Sequence, residues 1–324
     1  MAEMTQNERA TYKANLDVFS GTLQDLASTD RTILVVTSDS RGSGKLVPFG
    51  QKYPAQIVEI GIAEQNLVGV AAGLASTGKK VFAVSPACFL TARSFEQIKT
   101  DVAYSDNPVK LIGISAGVSY GALGSTHHSL HDFAALRAVH NLIVVAPADN
   151  FEAEHAIRLA AETDHPIYIR FGKKAMPYLT EDPSRRFEFG KGSVVREGGD
   201  LAIIGTGETV YPAVLAANRL ENVYGIRATV VSMHTIKPLD YELLAKLAET
   251  GAPIITAEEH SIYGGLGEAC ASFLLQNGFR NPFKIMGIPD EYTVTGSQIE
   301  ILNHYGLSEE GIAETGLKLV QKQA

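Results

Sequence analysis

The sequence predicts an α/β protein built as two domains in tandem, and three observations carry that expectation. The chain has 324 residues, enough for two separate cores. Short apolar, β-branched runs alternate with helical-period segments from end to end, the pattern of layered helices on largely parallel sheets. Periodicity fails between Gly172 and Gly192, where Pro177, Pro183, Arg185 and Arg186 gather, so a linker is expected there. The expected division is a first unit over residues 1–172, a linker over 173–192 and a second unit over 193–324.

In chain order, an amphipathic helix is expected over about residues 7–27, then a buried strand over 32–38 around Ile33-Leu34-Val35-Val36. A strand over 56–60 turns into a helix that opens near Glu64. A strand over 81–84 precedes a helix over about 91–104, and a strand over 109–114 leads into a Gly/Ser-rich loop over 117–129. A strand over 142–145, a helix over about 151–163 and a strand over 167–170 close the first unit. In the second unit, strands are expected over 201–204, 228–231, 253–257 and 283–288, with helices between them and a polar helix over 309–323 at the end.

Composition narrows the function. Hydrophobic residues make up 45% and charged residues 20%, ordinary for a globular protein. A formal charge of −8 with no Lys/Arg run argues against a nucleic-acid partner. No apolar stretch has the length of a membrane span, and the polar start Met1-Ala2-Glu3-Met4-Thr5-Gln6 does not read as a signal peptide. Cys88 and Cys270 lie too far apart in sequence to suggest a disulfide framework or a metal pair. A reducing, cytoplasmic setting is the expectation.

The most informative segment is Ile60-Gly61-Ile62-Ala63-Glu64-Gln65-Asn66, followed by the small-residue run Leu67 to Ala75. It places a carboxylate in the first turn of a helix so rich in Gly and Ala that another backbone must approach closely. A carboxylate on a crowded, water-poor surface is costly unless something uses it; the alternative is a Glu that only complements the helix dipole. His127-His128-Ser129-Leu130-His131 allows either a zinc site or an ordinary polar loop, without the rigid helical pair that zinc sites favour. Gly205-Thr206-Gly207-Glu208 reads as an anion site at a helix N-terminus or as a plain strand-to-helix turn. Gly264-Gly265-Leu266-Gly267 is too weak a pattern for dinucleotide binding.

Four landmarks in order give the chain a resemblance to a family: Gly61-Ile62-Ala63-Glu64-Gln65-Asn66; Cys88-Phe89 through Phe95-Glu96-Gln97-Ile98; Gly124-Ser125-Thr126-His127; and Thr235-Ile236-Lys237-Pro238-Leu239-Asp240 with Glu258-Glu259-His260 and Gly264 to Glu268. From about Thr11 to Gln321 the sequence resembles the C-terminal half of transketolase, its pyrimidine-binding domain plus its C-terminal domain. The resemblance implies thiamine diphosphate as cofactor, with the Glu64 carboxyl on the pyrimidine N1′ favouring the imino tautomer that deprotonates the thiazolium carbon. It implies that Phe89 and Phe95 stack on or wall in the aminopyrimidine, although both could be plain core residues. Ala92 stands where transketolases commonly carry a further aromatic. Asp39 matches an acidic position near the cofactor, or is a turn or capping residue. His127 matches the histidine that faces the substrate and could move protons to and from its hydroxyls.

The departures matter as much. Transketolases hold the diphosphate and its divalent metal, Mg²⁺ or Ca²⁺, in a separate N-terminal domain through a Gly-Asp-Gly stretch followed by an Asn. Here the nearest string is Gly198-Gly199-Asp200, which precedes a strand. The resemblance therefore implies the second subunit of a split transketolase, whose partner subunit carries the diphosphate site and no metal ligand of which lies in this chain. Self-association into a β dimer and an α2β2 assembly are expected. Ser43 matches a phosphate-contacting serine. Tyr12 replaces one sugar-phosphate arginine, Lys173 falls at another, and Leu123 takes the place of an Asp that reads a substrate hydroxyl. A lysine is a point charge where arginine is a planar fork, and leucine accepts no hydrogen bond. A donor or acceptor outside the pentose phosphates is expected, such as a branched sugar phosphate or a sulfonated sugar, although Lys173 and Lys174 could be solvated linker charges. The alternatives are the β subunit of a 2-oxoacid dehydrogenase E1 component and a non-catalytic assembly subunit.

Overall fold

The computed structural model describes residues 12–180, 182 and 184–323. Two mixed sheets organise it. The larger has seven strands: β2 (Ile33–Thr37), β3 (Ile57–Glu59), β4 (Lys80–Pro86), β5 (Lys110–Ile114), β6 (Ile143–Val145), β7 (Ile167–Phe171) and β12 (Thr235–Lys237), in the spatial order β12-β6-β7-β5-β4-β2-β3. All pairs are parallel except β12 with β6. The smaller sheet contains β9 (Ser193–Arg196), β10 (Leu201–Gly205), β11 (Ala228–Ser232), β13 (Ile254–Ser261) and β14 (Phe283–Ile288), ordered β14-β13-β10-β11-β9 with only β9 antiparallel. Its central strands β10 and β13 are almost wholly buried, as expected for parallel strands covered on both faces.

The expected strands are present within a residue or two, except that β13 runs four residues past its expected end at 257 to Ser261, and several expected helices differ. The first helix runs Asn15–Thr29, preceded by β1 (Lys13–Ala14), which pairs with β8 (Ala175–Met176); the part of the expected helix before Tyr12 lies outside the described residues. The expected helix over 91–104 starts earlier and is broken into Ala87–Arg93, Phe95–Gln97 and a π-helical Ile98–Tyr104. Ser94 makes the break: its hydroxyl donates to the Leu90 carbonyl, a back-bond that bends helices. Residue 56 belongs to a 3₁₀ turn, Pro54–Gln56, because its side chain donates to the Asp30 and Ile33 carbonyls.

The two sheets do not separate cleanly along the chain. Strand β12 leaves the second half to edge the first sheet, which continues one hydrophobic core across both halves. The segment between the halves is strapped down: Arg185 reaches Asp149 at 2.6 Å and Glu152 at 2.5 Å, both fully buried, and its guanidinium lies over Phe151. Asp149 also caps the helix Asn150–Glu162. Among the described residues, no helix is long and apolar enough to cross a membrane.

Candidate active site

Five parallel strands deliver the candidate residues at their carboxyl ends. Asp39 and Ser43 follow β2, Glu64 follows β3, Phe89 and Arg93 follow β4, the loop with Tyr120 and His127 follows β5, and Lys173 follows β7. The chain leaves β2 for β3 on one side, while β4 pairs with β2 on the other. That reversal of strand order is where open α/β sheets form ligand crevices.

Glu64 begins the helix Glu64–Ala75 and is 4% exposed. Arg93 Nη1 donates to its two carboxylate oxygens at 3.2 and 3.1 Å. The Arg93 guanidinium lies 4.4 Å above the centroid of Phe89, a cation–π contact. Phe89 meets the His127 ring edge-on at 5.3 Å, and His127 meets Tyr120 edge-on, also at 5.3 Å. Lys173 Nζ sits 3.9 Å from the Tyr120 ring centroid. The result is one continuous row, Glu64–Arg93–Phe89–His127–Tyr120–Lys173. At its acidic end lies a recess of about 510 Å³ lined by Ile62, Glu64, Asn66 and Arg93. At its basic end, Ser43, Lys45 and Lys173 line another of about 310 Å³. Burial pushes the Tyr120 phenol up and the Lys173 amine down from their ordinary values.

The other candidates take separate places. Leu123 is 55% exposed on the turn Gly121–Leu123 beside the His127 loop. Asp39 is exposed, in a left-handed backbone conformation at φ 50°, with its N–H donating to Glu59 Oε1 at 2.6 Å; this geometry fits the turn role. Phe95 is half-buried against the core cluster that includes Val68 and Ile98. Cys88 is a buried thiol that desolvation raises to about 11. The three histidines of the loop do not converge. His128 is tied to Thr293 at 2.9 Å and to the Gly121 carbonyl at 3.0 Å, and His131 faces Thr91. Among the described residues, no three His, Cys, Asp or Glu side chains are grouped as a metal would need.

Sequence reasoning missed Arg93, Tyr120 and Lys45. Arg93 had a usable signal, since it lies four residues after Phe89 and therefore on the same helical face. Tyr120 and Lys45 sit in turns with no periodic signal. For the pyrimidine half of thiamine diphosphate the residue types fit: the buried Glu64 carboxylate lines a recess with Arg93, and the half-buried Phe89 ring lies beneath the Arg93 guanidinium.

Comparison with known proteins shows the family. Residues 13–177 match the family description "Transketolase, pyrimidine binding domain" and residues 190–312 match "Transketolase, C-terminal domain". The chain is 48% identical to one of the subunits of the apulose-4-phosphate transketolase from Phocaeicola vulgatus, over 94% of this chain and 96% of that protein. It is 32% identical to a 6-deoxy-6-sulfo-D-fructose transketolase subunit of a Clostridium species, covering 95% and 94% of the two chains. A solved structure described as a split gene transketolase, inactive beta4 tetramer, superposes with a TM-score of 0.85 at 34% identity, over 96% of this chain and 99% of that one.

Proposed function

This chain belongs to the transketolase family, and we propose that it is the subunit of a split transketolase that supplies the pyrimidine half of the cofactor site and the wall that meets the sugar. Two-carbon ketol transfer between a ketose and an aldose is the reaction. The observation that carries the proposal is the unbroken row from buried Glu64 to Lys173. It spans from a proton-handling carboxyl to an anion-sized recess, as a site for a charged sugar on thiamine diphosphate must. The pyrimidine-binding unit is assigned to residues 1–172, the linker to 173–192 and the C-terminal unit to 193–324.

When bound, thiamine diphosphate supplies the electron sink that lets the bond beside the ketone carbonyl break. This chain's residues do the rest on their side of the cleft. Glu64 holds the proton at the pyrimidine nitrogen from a nearly fully buried position. Phe89 offers its face to the ring, with Phe95 at the rim, and Arg93 must swing away from both Phe89 and Glu64. Asp39 shapes the turn after β2 at the cofactor's edge. His127 moves a substrate hydroxyl proton through Nε2, since Nδ1 faces the Thr126 hydroxyl at 3.0 Å. Ser43 and Lys173, joined by Lys45, hold the distal anion, and Leu123 contributes an apolar surface where a hydroxyl reader is expected. The partner subunit carries the diphosphate and its Mg²⁺ or Ca²⁺, and two copies of each chain form the assembly in the cytoplasm.

The relatives' names support a substrate with a terminal anion, a phosphate in one and a sulfo group in the other. Co-purifying the chain with its genomic neighbour and assaying ketoses with terminal phosphate or sulfonate against pyruvate tests the proposal. Ketol transfer from an anionic ketose is the expected result. Turnover of pyruvate alone would move the chain to the 2-oxoacid dehydrogenase class.

A further inference from the structure

The second unit sends two buried carboxylates across to the first. Glu208, in the turn Gly207–Thr209 after β10, and Glu259, on β13, are both almost fully buried. They are bridged by one side chain: Gln298 Nε2 donates to Glu208 Oε2 at 2.8 Å and to Glu259 Oε1 at 3.0 Å. Each then accepts a backbone N–H from a segment that carries a residue of the candidate site. Val118 N–H donates to Glu259 Oε1 at 2.8 Å, two residues before Tyr120. Lys174 N–H donates to Glu208 Oε1 at 3.3 Å, next to Lys173.

The first unit is shaped to admit them. A Cβ at Gly117 would lie 2.4 Å from the Glu259 carboxyl carbon, and a Cβ at Gly172 would lie 2.0 Å from Glu208 Oε1. Neither glycine could carry a side chain while the carboxylates stay in place. Gly117 also needs its positive φ of 61°. Buried carboxylates are costly, and none of these contacts is needed to close either sheet.

We infer that Glu208, Glu259 and Gln298 are positioning residues, which clamp the segments 117–120 and 172–174 so that Tyr120 and Lys173 form one wall with His127. This rests on the ketol-transfer reading above and adds a task for the second unit within it. The clamp sets where the anion-holding end of the site lies relative to the reacting end. The charged groups facing the pair are Lys174 from the same segment and Arg170 on β7. Arg170 donates to the Glu259 carbonyl at 2.8 Å and is itself paired with buried Asp132. Burial and the neighbouring Glu259 raise the Glu208 carboxyl above its ordinary value, and burial also raises Glu259.

Two readouts on the full chain and its complex test the clamp. In the full chain alone, hydrogen exchange is followed in peptides covering residues 115–123 and 171–176, with the helix Glu64–Ala75 as internal reference. Glu208→Ala and Gln298→Leu are expected to speed exchange in both peptides by about tenfold or more, with the reference unchanged. In the reconstituted complex, the same variants are expected to raise KM for a phosphorylated ketose by roughly tenfold. They should leave kcat for hydroxypyruvate, a ketol donor without a phosphate, within about twofold of wild type. Glu208→Gln keeps one acceptor, for Lys174, but sets an amide NH2 against Gln298 Nε2, and should recover only part of the KM lost in Glu208→Ala. Unchanged exchange in the two peptides overturns the inference whatever the kinetics. So does faster exchange with equal losses on both donors, which marks general destabilisation. A wild-type complex without any ketol transfer would retire the functional reading and leave exchange to decide whether the clamp exists.

Discussion

At the scale of single residues, the site turns on the Glu64–Arg93–Phe89 contact. Glu64→Ala is expected to lower turnover of the complex by about a thousandfold, the usual worth of a positioned proton-transfer group, without changing assembly in sedimentation. Loss of assembly alongside activity would make Glu64 structural. On the proposed reading Arg93 occupies both partners the aminopyrimidine would use; its side chain is 51% exposed, so it is free to leave Glu64, which is 4% exposed, for solvent. Arg93→Ala is expected to tighten cofactor binding by the complex about two- to fivefold in calorimetry; weaker binding would show that Arg93 stays in the loaded site. Glu64, Phe89 and His127 were legible because each sits inside a motif whose neighbours fix its geometry. Arg93 was readable as a charge on the helical face of Phe89, but not as the partner of Glu64. The contact that gives it meaning comes from β3, whose approach no local pattern encodes.

At the scale of elements, the loops and the linker do more than their composition suggests. In sequence Lys173 matches a sugar-phosphate arginine position or reads as a linker charge; β7 ends two residues before it, and its Nζ lies over the Tyr120 ring. Lys173→Ala is expected to raise KM for a phosphorylated ketose by about tenfold, as loss of one charged contact does, and to leave KM for hydroxypyruvate near wild type. Equal KM values for both donors would remove Lys173 from the site. The stretch over 173–192 lacks periodicity because its described residues form neither helix nor long strand, yet Arg185 pins it to two buried carboxylates. Arg185→Met strands Asp149 and Glu152 without their cation and should cost about 3–5 kcal/mol in denaturant unfolding; a loss below about 1 kcal/mol would contradict a buried, paired strap. The broken helix after β4 shows the limit from the other side: hydrophobic spacing gave a helix, and the Ser94 back-bond that splits it is a side-chain choice invisible to periodicity.

At the scale of the whole molecule, what was hardest to read is how the two halves lock. Alternating strands and helices revealed two α/β units, but pairing of β12 with β6 joins residues about ninety apart, and non-local pairing leaves no local trace. His260 lies in that locked interior, stacked on Phe133, with desolvation holding it at about 4. Because the unfolded histidine titrates near 6.5, its contribution to stability is full above that pH and is lost as pH falls toward 4. His260→Asn should therefore flatten the acid side of the stability profile by up to about 3 kcal/mol; an unchanged profile would place the acid sensitivity elsewhere. The outer face bears on assembly. Ile62 is 73% and Tyr104 76% exposed, and a Cβ at Gly73 would meet nothing within 4 Å, so the small-residue helix after Glu64 has an open side where a second chain can approach.

The division of labour between two chains is tested most directly by titrating this chain with its partner in the presence of thiamine diphosphate and Mg²⁺, following ketol transfer from an anionic ketose to an aldose. Activity is expected to be absent from either chain alone, to rise to a plateau at equal numbers of the two chains, and to vanish when Glu64→Ala replaces the wild-type chain in an equally well-formed complex. Activity from this chain alone, or a Glu64→Ala complex as active as wild type, would contradict it.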